Sequence, residues 1–202
     1  MAFATFFATV GVADIAFIFA GLTRSYTPRQ RFVAATRGVL IATGILLFFS
    51  FVGNVILDVF GITLPALRVA GGILLLLIAI DMVFARHTGG TGTTTEEEAE
   101  GMTREDISVF PLAMPLLAGA GSISAVVLFT TGARTDLEFW MVVAALVVTM
   151  LVAWLTLLVA IPIQRLLGLT GMSVVSRVVG ILLTALAVQF VFDGVRDSGL
   201  LG

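Results

Sequence analysis

One carboxylate, Asp14, stands inside the apolar run VGVADIAFIFAGL at residues 10–22. If that run lies in a bilayer, the acid costs at least about 2.5 kcal/mol and needs a cation, a proton or a substrate ammonium beside it. A second stretch able to do chemistry is ISVFPLAMPLLAGAGSISAVVLFTT, residues 107–131. Pro111 and Pro115 remove backbone donors. Gly119 and Gly121 free the backbone, and Ser122 is suited to cap a second half-helix. The expectation is a broken helix whose second half presents free N–H groups, which favour an anion such as a carboxylate, while unwound carbonyls ligate a cation. Gly11, one turn before Asp14, is expected to let another backbone approach. The candidate substrate site is therefore Gly11, Asp14, Gly119, Gly121, Ser122 and Ser124, with Asp14 as the ligand of a coupling cation. Asn54, Asp81 and Gln189 form a second tier of polar residues nearer the span ends.

Other chemistries fail on the residues available. An intramembrane aspartyl protease needs two acids sharing a proton, and Asp14 and Asp81 are expected at different depths. Ser122 or Ser124 as a nucleophile needs a base, and the single His87 sits in a polar loop. There is no cysteine, so zinc or haem ligation of the usual kind is not available. No enzyme, no cofactor and no resident metal are expected; the ion coupled at Asp14, Na⁺ or H⁺, would be transient.

The elements that position these residues follow from composition. Of 202 residues, 59% are hydrophobic and 12% charged, with a mean hydropathy of +1.13. A soluble domain carries about twice that charge. The class is an all-α polytopic membrane protein. Six segments reach the roughly 20 apolar residues of a span: 2–22, 38–57, 64–85, 107–131, 139–161 and 173–193. The net charge of −2 argues against nucleic acid as a partner; a small solute and the lipid bilayer are the expected partners. A homo-oligomer is allowed, but no single helix face marks its interface. All eleven basic residues are arginine. Arg24, Arg29, Arg31, Arg37, Arg86, Arg104, Arg165 and Arg177 fall on one side of this topology, and Arg68, Arg134 and Arg196 on the other. The positive-inside rule puts the eight in the cytoplasm and both termini outside. The Gly/Thr-rich acidic connection at 86–106 reads as a solvated linker. It separates two three-helix units, 1–85 and 107–202.

The two units resemble each other. VAGGILLLLIAIDM (69–82) aligns with RVVGILLTALAVQF (177–190), pairing Gly72 with Gly180 and Asp81 with Gln189 at an offset of 108. VGVADIAFIF (10–19) also compares with LAGAGSISAV (117–126), each placing small residues and one polar group mid-span. Three helices per unit is an odd number, so the second unit enters from the opposite side. This is an inverted repeat, with helices 1 and 4 broken near the midplane and the site between the repeats.

FGITLPALRVAGGILLLLIAIDM, DISVFPLAMPLLAGAGSISAVVL and VGILLTALAVQFVFDGV resemble the MarC family of integral membrane proteins, which is similar to the wider LysE group of exporters. The resemblance implies a prokaryotic plasma-membrane protein and a small-solute secondary transporter. It points to small neutral amino acids such as glycine and alanine, coupled to Na⁺ or H⁺, and to an elevator-like shift of one part against another. Two family prolines are replaced here by Ile15 and Ala120. The alternatives are a member that transports nothing or acts as a passive channel, and an exporter of another small metabolite.

Overall fold

The computed structural model of the chain describes residues 1–23, 26–84 and 107–199, with the backbone alone at 13, 14, 17, 115, 164–167, 169, 170 and 172. The linker expected at 86–106 lies outside these residues. The described chain is helical throughout, without strand. In order it forms α1 (Ala2–Thr9), α2 (Val12–Leu22), α3 (Pro28–Phe60), α4 (Leu64–Phe84), α5 (Ser108–Leu117), α6 (Ala120–Thr131), α7 (Asp136–Leu158) and α8 (Ala160–Asp197). Four stretches are long and apolar enough to cross a membrane: Pro28–Phe60, Leu64–Phe84, Asp136–Leu158 and Ser173–Asp197. The segments expected as spans 1 and 4 are each two shorter helical pieces.

Local chemistry explains the boundaries. The second span was expected from residue 38, but α3 starts at Pro28. Thr27 caps it, accepting from the Gln30 N–H while the Gln30 side chain accepts from the Thr27 N–H, and Pro28 takes the first helical position. This reciprocal cap satisfies two backbone donors and starts the helix inside the arginine-rich stretch. α7 starts with half of this cap: Thr135 accepts from the Glu138 N–H, while the Glu138 side chain accepts from the Arg134 N–H and not from Thr135. The fifth span expected to reach 161 ends at Leu158, where Val159 leaves helical geometry. α8 runs on from there, but Gly168 interrupts it at φ 61°, ψ −174°, a conformation open to glycine and to few other residues.

α4 and α8 form a tight antiparallel pair. A Cβ added at Gly72 would lie 2.8 Å from the Ala187 carbonyl oxygen, and one added at Gly180 would lie 3.1 Å from the Ala79 carbonyl oxygen. Absent side chains thus let two helix backbones touch. Leu75, Ile78, Met82, Leu183 and Phe190 bury around this seam, joined by Ala8 and Leu128. A larger core gathers α1, α2, α3, α5, α6 and α7. Within it α3 and α7 are pinned by the Trp154 Nε1–H donating to Thr36 Oγ1 at 3.0 Å and by Phe32 against the Trp154 ring.

The offset of 108 recurs in backbone features. The helix caps Gly11 and Gly119 are 108 positions apart, as are the caps Thr27 and Thr135 with their partners Gln30 and Glu138. The seam is reciprocal under the same offset. Gly72 meets Ala187 and Gly180 meets Ala79, so each contact maps onto the other.

Candidate functional site at two helix breaks

The first break lies between α1 and α2. Val10 ends α1, and Gly11 takes the left-handed conformation at φ 62°, ψ 43° before α2 resumes. A Cβ at Gly11 would meet nothing within 4 Å. Glycine is required here for the turn of the backbone, not for the close approach expected from the sequence. Asp14 follows in the first turn of α2; its side chain lies outside the described residues. An acid in that position sits on the positive end of a helix.

The second break lies between α5 and α6, and the prolines shape it. Phe110 and Met114, the residues preceding Pro111 and Pro115, are extended at φ −131°, ψ 127° and φ −138°, ψ 122°. Proline disfavours helical geometry in the residue before it. The bonds that remain in α5 span wide turns, from the Leu112 N–H to the Ile107 carbonyl at 3.2 Å and from the Ala118 N–H to the Ala113 carbonyl at 2.9 Å. Ala118 is non-helical, and Gly119 caps α6 in an extended conformation without a side-chain cap bond. Ser122 therefore does not cap the half-helix as the sequence suggested; it lies one turn inside.

That shift leaves Ser122 in an unusual state. It is 1% exposed, and its Oγ has no hydrogen-bond partner. Many helical hydroxyls in this chain donate to the carbonyl four residues earlier: Thr43, Ser50, Thr130, Thr149, Thr156 and Thr184 do so at 2.7–2.9 Å, whereas Thr131 Oγ1 at the far end of α6 is unpartnered like Ser122. An unpaired buried hydroxyl is expensive, at roughly 1–3 kcal/mol. It stands beside the first N–H groups of α6, which have no intrahelical acceptor.

A small cavity of about 20 Å³ connects the breaks; Thr9, Val10 and Gly11 line it from the first, Leu116 from the second, with Ile15, Ile78 and Met82. Ile78 also covers Gly121: a Cβ there would fall 2.4 Å from Ile78 Cδ1. One α4 side chain thus touches both sides of the site. Ile78, Met82 and Leu116 were not singled out in the sequence, because a buried aliphatic residue on a membrane helix carries no mark distinguishing site from core. Ser124 is half-buried on α6, and Asn54 is exposed on α3. Asp81 is half-buried on α4. Gln189 is exposed and donates to Asp193 Oδ1 at 2.9 Å. None of these four lines the cavity, and neither do Gly119, Gly121 or Ser122; of the expected site residues with described side chains only Gly11 does. Among the described residues, no three acidic or histidine side chains gather as a metal site.

Comparison with known proteins fits this architecture. The family model described as MarC family integral membrane protein matches residues 1–198. A UPF0056 membrane protein of Methanocaldococcus jannaschii is 36% identical over 198 residues, covering 98% of this chain and 96% of its own. One from Aquifex aeolicus is 39% identical over 177 residues, covering 87% and 82%. The UPF0056 membrane protein YhcE of Escherichia coli is 33% identical over 190 residues, covering 94% and 88%. No solved structure matches the chain. With apolar helices of spanning length and a family match along nearly its whole length, the chain belongs to the MarC family of multi-pass integral membrane proteins.

Proposed function

We propose that this protein is a secondary transporter of small neutral amino acids, glycine and alanine among them, coupled to Na⁺ or H⁺. The observation that carries the reading is the buried, unpartnered Ser122 Oγ beside the N-terminus of a half-helix. A substrate carboxylate is the group that satisfies both the hydroxyl and the adjacent N–H donors. Asp14, at the start of the other half-helix, takes the ammonium or the coupling cation. The recurring offset of 108 and the reciprocal Gly72 and Gly180 contacts support two inverted three-helix repeats and six crossings. The arginine distribution supports a prokaryotic plasma-membrane location with both termini outside. The cavity between the breaks, about 20 Å³, holds no more than about one water, and no open space is found at Ser122, so the reading takes this conformation as occluded. The same small volume favours the second reading, a family member that carries nothing.

Binding of labelled alanine to the detergent-purified protein, with and without Na⁺, tests the first reading. Saturable binding that weakens about tenfold in Ser122→Ala is expected, the equivalent of one hydrogen bond to a charged group. Absence of saturable binding of either glycine or alanine would favour the second.

A further inference from the structure

Two clefts lie at opposite ends of the bundle. The larger, about 690 Å³, is lined by Phe129 and Phe190, by the arginines Arg68, Arg134 and Arg196, and by the carboxylates Glu138, Asp193 and Asp197. The smaller, about 280 Å³, opens beside the start of α3 and holds Arg29 and Arg37. The 33 residues of α3 span roughly 50 Å from the smaller cleft to the turn leading into α4 and Arg68.

The linings of the two clefts correspond in part, although their arginines do not: Arg29 falls opposite Leu137, which does not line the larger cleft, and Arg134 falls opposite Tyr26. Five of the seven residues lining the smaller stand 108 positions before residues lining the larger. Tyr26 corresponds to Arg134, Gln30 to Glu138 and Ala34 to Val142. The elements correspond as well: each cleft lies at the start of a long helix, α3 or α7, beside the start of an interrupted one, α5 or α1. The offset that relates the two helix breaks therefore also relates the two clefts.

Each cleft carries an arginine that makes no direct ion pair among the described residues, although in the larger cleft the three arginines are matched in number by three carboxylates. Arg68 is paired with Asp197. The Arg134 guanidinium has no ion-pair partner among the described residues; only its backbone N–H is engaged, donating to Glu138 Oε2 at 2.7 Å. Arg29 is likewise without one among the described residues, and it sits in the first turn of α3, which contains no acid. A cation there works against the helix dipole, so helix stability does not account for it. Packed aromatic rings separate the larger cleft from the first break. The Phe129 ring packs edge-on against Phe190 at 5.7 Å and against the buried Phe6 at 5.6 Å, and Phe6 lies in α1 just before the break at Gly11.

We infer that the two clefts are repeat-equivalent entry sites on opposite faces of the membrane, each holding the carboxylate of a small solute on its unpaired arginine, Arg134 in one and Arg29 in the other. The inference rests on the transport reading for the identity of the solute. The absence of cysteine makes its test direct. Single cysteines, Ala133→Cys in the larger cleft and Val33→Cys in the smaller, are labelled with a membrane-impermeant maleimide in intact cells and in inverted vesicles. Labelling from opposite faces is expected, slowed by saturating alanine and not by ethylamine, which lacks the carboxylate. Added to the Ala133→Cys variant, Arg134→Gln should raise the alanine concentration that half-protects the introduced thiol about tenfold. Added to the Val33→Cys variant, it should leave protection unchanged. Arg29→Gln should do the reverse.

Labelling of both thiols from one face would overturn the inference. So would protection by ethylamine, or protection that follows the anionic lipid content of the vesicles rather than alanine. Alanine flux without carboxylate-dependent protection would sink this inference and leave the transport reading. Protection without flux would do the opposite.

Discussion

Gly121 lies directly beneath the side chain of Ile78, so close that a Cβ on the glycine would fall 2.4 Å from the isoleucine Cδ1. The contact joins the first turn of α6 to the middle of α4, and Ile78 goes on to line the small cavity reached by Gly11. On the proposed transport reading, Ile78 would set how much room a solute finds between the breaks. Ile78→Ala removes three carbons from that wall. The expected result is a shift of preference toward larger side chains, with valine gaining about tenfold on glycine in competition for uptake, the scale set by a methylene or two in an apolar pocket. Unchanged ratios among glycine, alanine and valine would place the solute elsewhere.

Gly11 isolates a purely conformational effect. Because a Cβ there meets nothing within 4 Å, Gly11→Ala changes only the ease of the left-handed backbone at φ 62°. A loss of about 1–2 kcal/mol is expected, read as a lower apparent melting temperature in detergent. Gly11→Asn should lose less, since asparagine tolerates that region better. Equal losses in the two variants would argue against this account of the break.

The seam between α4 and α8 makes a paired prediction. Gly72→Ala and Gly180→Ala each push a methyl onto a backbone carbonyl of the facing helix, at 2.8 and 3.1 Å. Each should destabilise by about 1–3 kcal/mol, the range for overpacking a close contact. Because the two sites share one seam, separation of the helices by the first substitution relieves the second. Melting temperatures of the double variant should thus fall by less than the sum of the singles. Strict additivity would show that the two glycines do not belong to one interface.

The sequence carried the helical class, the apolar runs and both interruptions, because membrane length and proline each leave a strong local signal. It located the second interruption well, since Phe110 and Met114 are extended for the reason legible in Pro111 and Pro115. It misplaced starts. α3 begins ten residues before the apolar run, because a cap at Thr27 can start a helix within charged residues. The motifs TPRQ at 27–30 and TDLE at 135–138 carry that signal, a hydroxyl residue followed three positions later by Glu or Gln. The caps Gly11 and Gly119, like Thr27 and Thr135, stand 108 apart, the same offset that aligns Gly72 with Gly180. The wall of the site stayed invisible because Ile78, Met82 and Leu116 differ from core residues only in what they face.

Coupled transport through Asp14 is decided by uptake of labelled glycine and alanine into proteoliposomes, with and without an imposed Na⁺ or H⁺ gradient, by the natural protein and by Asp14→Asn. Gradient-driven accumulation that is lost in Asp14→Asn, with an unchanged melting temperature, is the predicted result. Absence of gradient-dependent flux of either amino acid in the folded natural protein, or full accumulation by Asp14→Asn, would contradict it.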